Sequence, residues 1–342
     1  MLFAPIGKAG QQLLADSGVL LVGCGALGCV LADSLTRAGV GRIRIVDRDF
    51  VEVSNLQRQV LFTESDAEAH LPKAVAAKTR LQQINSSIQI EAIVADVTEA
   101  NILKLVDGVD LILDGTDNFE IRYLINDVAL ETSTPWVFTG CTGSVGQMMP
   151  VIPAKTGCLR CLMPEAPPTG STETCDTAGV LGPAVVAIAS LQAAMAIRIL
   201  IELPRYETEP ELVQSIQHLT MLDAWDQSSR QMDVRSLPDG TCPACCEGER
   251  RWLRGQQSGQ STVLCGRNAV QVTPASAMNV PLADIAKRFQ PFAEVMSNQF
   301  LVRATMRDED IEITVFPDGR AIIKGTEDPS RARSIFARWI GS

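Results

Sequence analysis

Cys158-Leu159-Arg160-Cys161 and Cys242-Pro243-Ala244-Cys245 are two thiol pairs at the spacing that grips a metal ion. Four thiolates close a tetrahedron around Zn2+ and leave no open position, so the zinc they imply is structural. Cys246 competes with Cys245 for the fourth place, and the two-residue spacing favours Cys245. A second constellation begins at Gly23-Cys24-Gly25-Ala26-Leu27-Gly28. Gly23, Gly25 and Gly28 let a backbone approach phosphates, and a helix starting there favours negative charge. Asp47 follows 19 residues after Gly28, where a carboxylate suits ribose hydroxyls. Taken alone, this pair reads as an NAD-dependent oxidoreductase. The polar run from Asp47 to Gln59 changes the reading, because ordinary hydride transfer does not need it. Arg58 offers a planar cation for phosphate oxygens, with Ser54, Asn55 and Gln57 as neutral hydrogen-bonding groups beside it. Lys73, after Pro72, adds a mobile counter-charge. Asp114-Gly115-Thr116-Asp117-Asn118 supplies carboxylates of the kind that hold Mg2+. Glycine turn, arginine, lysine and aspartate together describe a triphosphate site.

The elements that must position these groups alternate. Residues 19–22 predict a strand, 26–38 a helix and 42–46 a strand. Residues 73–84 predict a helix, 88–94 and 109–113 strands, 118–131 a helix and 136–138 a short strand. This order predicts an α/β fold: a Rossmann-like, doubly wound, mostly parallel sheet with a zinc-knuckle region. Farther on, strands at 269–272, 300–303, 311–315 and 321–323 and a helix from Pro329 to Trp339 predict a small α+β module. The expected division is an ATP-binding domain over 1–248, a linker over 249–264 and the module over 265–342.

Composition removes other classes. The chain has 342 residues, 46% apolar and 20% charged, which excludes a disordered chain. With 30 Lys+Arg against 40 Asp+Glu, the net charge is −10, unsuited to a general nucleic-acid or anionic-membrane binder. Two histidines, His70 and His218, argue against a His-built catalytic metal site or a Ser-His-Asp triad. No secretory signal pattern opens the chain, so a cytoplasmic location is expected, where paired cysteines serve metals more than disulfides. The uncharged stretch 177–197 approaches spanning length, but Gly182-Pro183, Ser190 and Gln192 fit a buried helix better. Residues 1–249 carry 17 basic and 31 acidic side chains, and 250–342 carry 13 and 9. That contrast predicts a basic module that docks the protein the rest of the chain acts on, by long-range attraction that salt weakens.

In this combination the sequence resembles the MoeB/ThiF/HesA adenylyltransferases, relatives of ubiquitin-activating enzymes, over residues 2–248. The matching pieces are GCGALG, DRDFVEVSNLQRQ, Pro72-Lys73, DGTDN, the two Cys-x-x-Cys pairs and Cys175 through Pro183. The resemblance implies an enzyme that uses ATP and Mg2+ to adenylate the C-terminal glycine of a ubiquitin-like sulfur-carrier protein ending in Gly-Gly. It implies a homodimer, with pathways from thiamin and molybdopterin synthesis to tRNA thiolation left open. Ala26 and Asp47 then contact adenosine. Ser54, Asn55, Leu56, Gln57, Arg58, Lys73, Asp117 and Asn118 handle phosphates and Mg2+, with Asp117 the Mg2+ ligand. Cys175 corresponds to a cysteine that in relatives either bonds covalently to the carrier or is dispensable; neighbouring Glu173 and Asp176 oppose its ionisation. Cys24, Cys29 and Cys141 read as small buried residues. An arginine segment that relatives carry upstream is not matched before Leu2, which keeps an impaired or non-catalytic partner subunit as a rival reading. Cys265 is a lesser candidate thiol.

Overall fold

The computed structural model describes residues 3–166, 179–237, 240–256, 261–264, 268–273, 280–307 and 309–340. The chain forms two compact units, residues 1–256 and 257–342.

The first unit opens with α1 (Gly7–Asp16), β1 (Gly18–Val22), α2 (Ala26–Ala38) and β2 (Arg42–Val46). All five β1 residues are buried, as a central parallel strand covered on both faces requires. A capping box at Thr63 and Asp66 starts α3 (Glu64–Glu68), and α4 (Lys73–Ile84) begins directly after Pro72. Then come β3 (Gln89–Ile93), α5 (Ile102–Val106), β4 (Leu111–Asp114) and α6 (Phe119–Thr132). β5 (Trp136–Thr142), β6 (Val145–Val151), α7 (Leu159–Leu162), α8 (Gly182–Glu202), α9 (Pro210–Gln214), β7 (His218–Asp223) and β8 (Ser228–Asp233) complete the unit. The strands form one sheet in the order β3-β2-β1-β4-β5-β6-β7-β8. β1 to β5 run parallel, so the ends of β1, β2 and β4 share one edge. β6, β7 and β8 extend the sheet antiparallel.

Among the described residues, only the segment beginning with α8 has the length and apolar composition to cross a membrane. It is a core helix here: Ala184, Val185, Ile188, Ala189, Ala193, Ala196, Ile199 and Leu200 are buried. Gln192 is fully buried on the same face and donates from Nε2 to Asp114 O (3.0 Å) and Val137 O (3.2 Å). A mid-helix NH2 group donating to two sheet carbonyls belongs to a folded interior.

The second unit contains β9 (Ser261–Leu264), β10 (Ala269–Val272), α10 (Leu282–Phe289), β11 (Ala293–Ser297), β12 (Val302–Met306), β13 (Glu312–Val315), β14 (Ala321–Lys324) and α11 (Pro329–Trp339). Its sheet is antiparallel, in the order β11-β12-β13-β14-β10-β9. Val270, Phe289, Val302, Ile313, Val315, Ile323 and Phe336 are among its core residues.

Two expectations change at the boundary. The span read as a linker, 249–264, is structured at both ends. Trp252 N and Leu253 N donate to Asp127 Oδ2 on α6 (2.9 and 3.3 Å), while Ser261–Leu264 pairs with β10 as a strand. Arg250 and Arg251 pair with Glu131 and Glu165 of the first unit. With Arg250, Arg251 and Arg254 assigned to that unit, residues 257–342 hold 10 basic and 9 acidic side chains. The net positive charge of residues 250–342 thus comes mostly from Arg250, Arg251 and Arg254, which belong to the first unit.

Candidate functional site

The glycine turn sits between β1 and α2 at the shared strand edge, and its three glycines do different work. Gly23 adopts φ +87°, a left-handed conformation that L side chains rarely take. At Gly28 a Cβ would fall 2.1 Å from Gly23 O, so the helix and the turn touch backbone to backbone. Gly25 is open: a Cβ there would find Gln59 Nε2 at 3.9 Å as its nearest neighbour. Gly25 also caps α2 without a side-chain hydrogen bond, and Ala26 begins the helix. First-turn N–H groups beside an uncovered glycine suit an anion.

The second strand delivers Asp47 behind this turn. Its Oδ2 accepts from Cys24 N (2.6 Å) and its Oδ1 from Asp49 N (2.7 Å). Burial raises the Asp47 pKa, against Lys73 and the two backbone donors, which pull it down. Asp47 thus fixes the turn's backbone, each of its carboxylate oxygens accepting from a main-chain N–H. Lys73 differs from the mobile counter-charge expected of it. Its side chain is 3% exposed, and Nζ pairs with Asp49 Oδ2 at 3.1 Å.

Residues 53–55 form a 3-10 turn that presents the SNLQR segment. Asn55 is buried and its Oδ1 accepts from Arg58 Nη2 at 2.8 Å, which aims the guanidinium. Ser54 and Gln57 are exposed and Leu56 is half-buried. A Cβ on Gly182 would lie 3.0 Å from Gln57 O, so the start of α8 backs this segment.

At the end of β4, Asp114 and Asp117 part company. Asp114 is fully buried and bonded to Arg122, Thr116 and Thr139, while Asp117 is exposed at the tip of the segment. Asn118 caps α6, its Oδ1 accepting from Glu120 N (2.8 Å) and Ile121 N (3.3 Å). Part of the polar capacity read as phosphate-binding is therefore engaged in starting a helix.

Arg48, Gln59 and Arg122 belong to this region and were not singled out from the sequence. Arg48 donates to Asp96 Oδ1 at 2.8 Å. Burial opposes its charge, but Asp96, Asp49 and Asp117 outweigh that and raise its pKa. Gln59 is buried at the open glycine, and its Oε1 has no hydrogen-bond partner. A polar residue at a buried position is the signal that could have found both Gln59 and Arg122.

The thiol pairs do converge. Cys158, Cys161, Cys242 and Cys245 place their sulfurs within 4.8 Å of one another, with Cys161–Cys245 at 3.4 Å and Cys158–Cys242 at 3.7 Å. Zn–S bonds of about 2.3 Å imply tetrahedral S···S edges of roughly 3.8 Å, so the donor set fits zinc. Hydrogen bonds from Cys161 and Cys245 pull the Cys158 pKa down to about 2, and Cys158 pushes Cys161 up to about 12. Cys246 is exposed, its sulfur 3.8 Å from that of Cys245. Cys24, Cys29 and Cys141 are buried, as read from the sequence. Cys175 and Cys265 lie outside the described residues.

The fold and crevice define an α/β protein with an anion cradle at the carboxyl ends of its parallel strands. The chain belongs to the ThiF family, whose model matches residues 1–244. It is 40% identical over 341 residues to the sulfur carrier protein ThiS adenylyltransferase of Bacillus subtilis strain 168, covering 99% of this chain and 97% of that protein. It is 38% identical over 250 residues to the sulfur carrier protein adenylyltransferase of Thermus thermophilus, covering 72% of this chain and 88% of that one. A crystal structure of E. coli MccB with MccA-N7isoASN shares the fold at 23% identity with a TM-score of 0.59, covering 70% of this chain and 69% of that chain.

Proposed function

We propose that this chain is an ATP-dependent adenylyltransferase that activates the C-terminal glycine of a ubiquitin-like sulfur-carrier protein. One observation carries the reading: the open Gly25 cradle, Arg58, Lys73 and Asp117 come from segments at a single edge of the sheet. The names of the curated relatives support it, and neither the oxidoreductase nor the inactive-subunit reading gains support from them.

In the reaction a carboxylate oxygen of the carrier's last glycine bonds to the α-phosphorus of ATP. The bond from that phosphorus to the bridging oxygen breaks, and pyrophosphate leaves with the electron pair. Anion meets anion in this step, so the residues must neutralise and align. Ala26 and Asp47 face the adenosine; Gly23, Gly25 and Gly28 shape the cradle. Ser54 to Gln57 bond phosphate oxygens through neutral donors. Arg58 and Lys73 supply positive charge, Lys73 exchanging part of its Asp49 pairing for phosphate. Asp117, beside Asn118, would hold Mg2+, which would supply Lewis-acid charge at the phosphates. Cys158, Cys161, Cys242 and Cys245 would hold a structural Zn2+ that would tie the segment after β6 to the end of the unit. Cys175 is a candidate nucleophile whose thiolate would attack the carbonyl carbon of the carrier's glycyl-adenylate, forming a thioester as the C–O bond breaks and AMP leaves.

The working form in this reading is a cytoplasmic homodimer that binds neither nucleic acid nor membrane. The free thiols support a reducing compartment. Residues 1–256 form the catalytic unit, with 257–342 an accessory module. The test is ATP–pyrophosphate exchange with candidate carriers ending in Gly-Gly. Exchange that depends on the carrier's terminal glycine is expected; none with any carrier overturns the reading.

A further inference from the structure

Arg122 carries an inference that rests on the adenylation reading and deepens it. It lies one turn into α6, 5% exposed. Its Nε donates to Asp114 Oδ2 (2.9 Å), and its Nη2 to Thr116 O (2.7 Å) and Thr139 O (3.0 Å). The guanidinium lies 5.0 Å from the Phe119 ring centroid and 5.4 Å from that of Phe138. Asp114 Oδ1 in turn accepts from Thr116 N (2.9 Å) and Thr116 Oγ1 (2.8 Å).

These bonds fix the residue before Asp117, and Asn118, the residue after it, is fixed as the cap of α6. Asp117 is exposed between two immobilised neighbours. The segment also has no room to slide toward the glycine turn, since a Cβ on Gly115 would stand 2.4 Å from Gly23 O. A buried ion pair is weak support for stability, because apolar groups of similar volume do as well. Three directed bonds to a carboxylate and two carbonyls are a different matter; a planar guanidinium makes them and an ammonium does not.

We propose that Arg122 is a positioning residue, which through Asp114, Thr116 and Thr139 sets where Asp117 stands over the phosphate cradle. It touches neither substrate nor reacting atoms. Arg122→Lys keeps the charge and loses the fork, so its effect on rate should pass through Asp117.

The experiment is a double-mutant cycle in ATP–pyrophosphate exchange with Arg122→Lys, Asp117→Asn and the double variant, alongside thermal unfolding. Arg122→Lys should lower kcat by on the order of 10²-fold, the usual result of moving a catalytic group about 1 Å, while the KM for ATP changes less than about threefold. In the Asp117→Asn background the same change should cost less than about threefold. Full multiplication of the two losses, or a wild-type rate in Arg122→Lys, overturns the proposal. If Arg122→Lys does not fold, Thr116→Val removes the hydroxyl's bonds to Asp114 Oδ1 and Asn118 O and should show a smaller loss that again vanishes with Asp117→Asn; persistence overturns it. No exchange by the wild-type chain with any carrier counts against adenylation instead. The cycle is then read from ATP affinity with and without Mg2+ by calorimetry: Arg122→Lys and Asp117→Asn should lose the same Mg2+ dependence, and retained dependence in Arg122→Lys overturns the proposal.

Discussion

Adding one methyl group at Gly25 and at Gly28 separates cradle from scaffold. At Gly28 the new Cβ meets Gly23 O at 2.1 Å, so the turn's backbone must retreat by about 0.9 Å to reach the closest tolerated contact, 3.0 Å. Forced repacking of this kind costs about 1–3 kcal/mol, and about 2–4 °C of Tm per kcal/mol in a unit of this size lowers Tm by roughly 2–12 °C. At Gly25 the Cβ has only Gln59 Nε2, at 3.9 Å. Gly25→Ala costs the empty protein a weaker N-cap, about 0.5–1 kcal/mol, or roughly 1–4 °C. Its effect appears with nucleotide. ATP at 100 times its Kd stabilises the wild type by about 2.7 kcal/mol, a shift of roughly 5–11 °C. A methyl that displaces a phosphate by about 1 Å weakens binding on the order of 10²-fold. At the same ATP concentration about 0.4 kcal/mol of stabilisation then remains, a shift of roughly 1–2 °C. The assay is thermal unfolding of both variants and wild type with and without Mg2+ and ATP. A full ATP shift in Gly25→Ala refutes the reasoning, as does an ATP-free Tm below that of Gly28→Ala.

Three further outcomes are expected. Stripping the thiol cluster with a strong chelator, or making Cys158→Ser, should remove about one equivalent of zinc by atomic absorption; a loss of about 4–5 kcal/mol, among the largest single-site effects, lowers Tm by roughly 8–20 °C. Burial raises the Asp127 pKa, although Trp252 N and Leu253 N pull the other way. The folded state therefore holds this proton more tightly than the unfolded state, so ionisation destabilises the fold as pH rises from the ordinary aspartate range through the raised pKa, and the penalty persists above it. Asp127→Asn keeps an acceptor for both N–H groups, and Tm measured from pH 4 to 8 should fall less across that window than in the wild type. Finally, a chain ending at Gln256 should fold and retain exchange within about fivefold, and its carrier affinity should keep the wild-type salt dependence, because residues 257–342 carry nearly balanced charge.

What the sequence made legible follows how each residue announces itself. Gly23, Gly25 and Gly28 break an apolar pattern between strand and helix, and the four cysteines repeat a metal spacing, so turn and cluster stood out without coordinates. The antiparallel extension did not. β8 reads Ser-Ser-Arg-Gln-Met-Asp and is exposed at every position, so it offers no alternation to detect; only its pairing with β7 makes it a strand. The division of labour within Asp114–Asn118 was equally hidden, because composition shows two carboxylates and an amide but not which ones fold the segment. Asp114 lies inside with Arg122, Asn118 starts α6, and Asp117 alone is exposed at the tip. Arg122 shows why: on a helix whose neighbours Tyr123, Ile125 and Val128 are buried, an arginine is out of place unless something inside accepts its bonds. Two of its three acceptors, Asp114 and Thr139, are 8 residues before it and 17 after it in the chain. Their meeting depends on β4 and β5 lying side by side, a fact of topology that no local pattern carries.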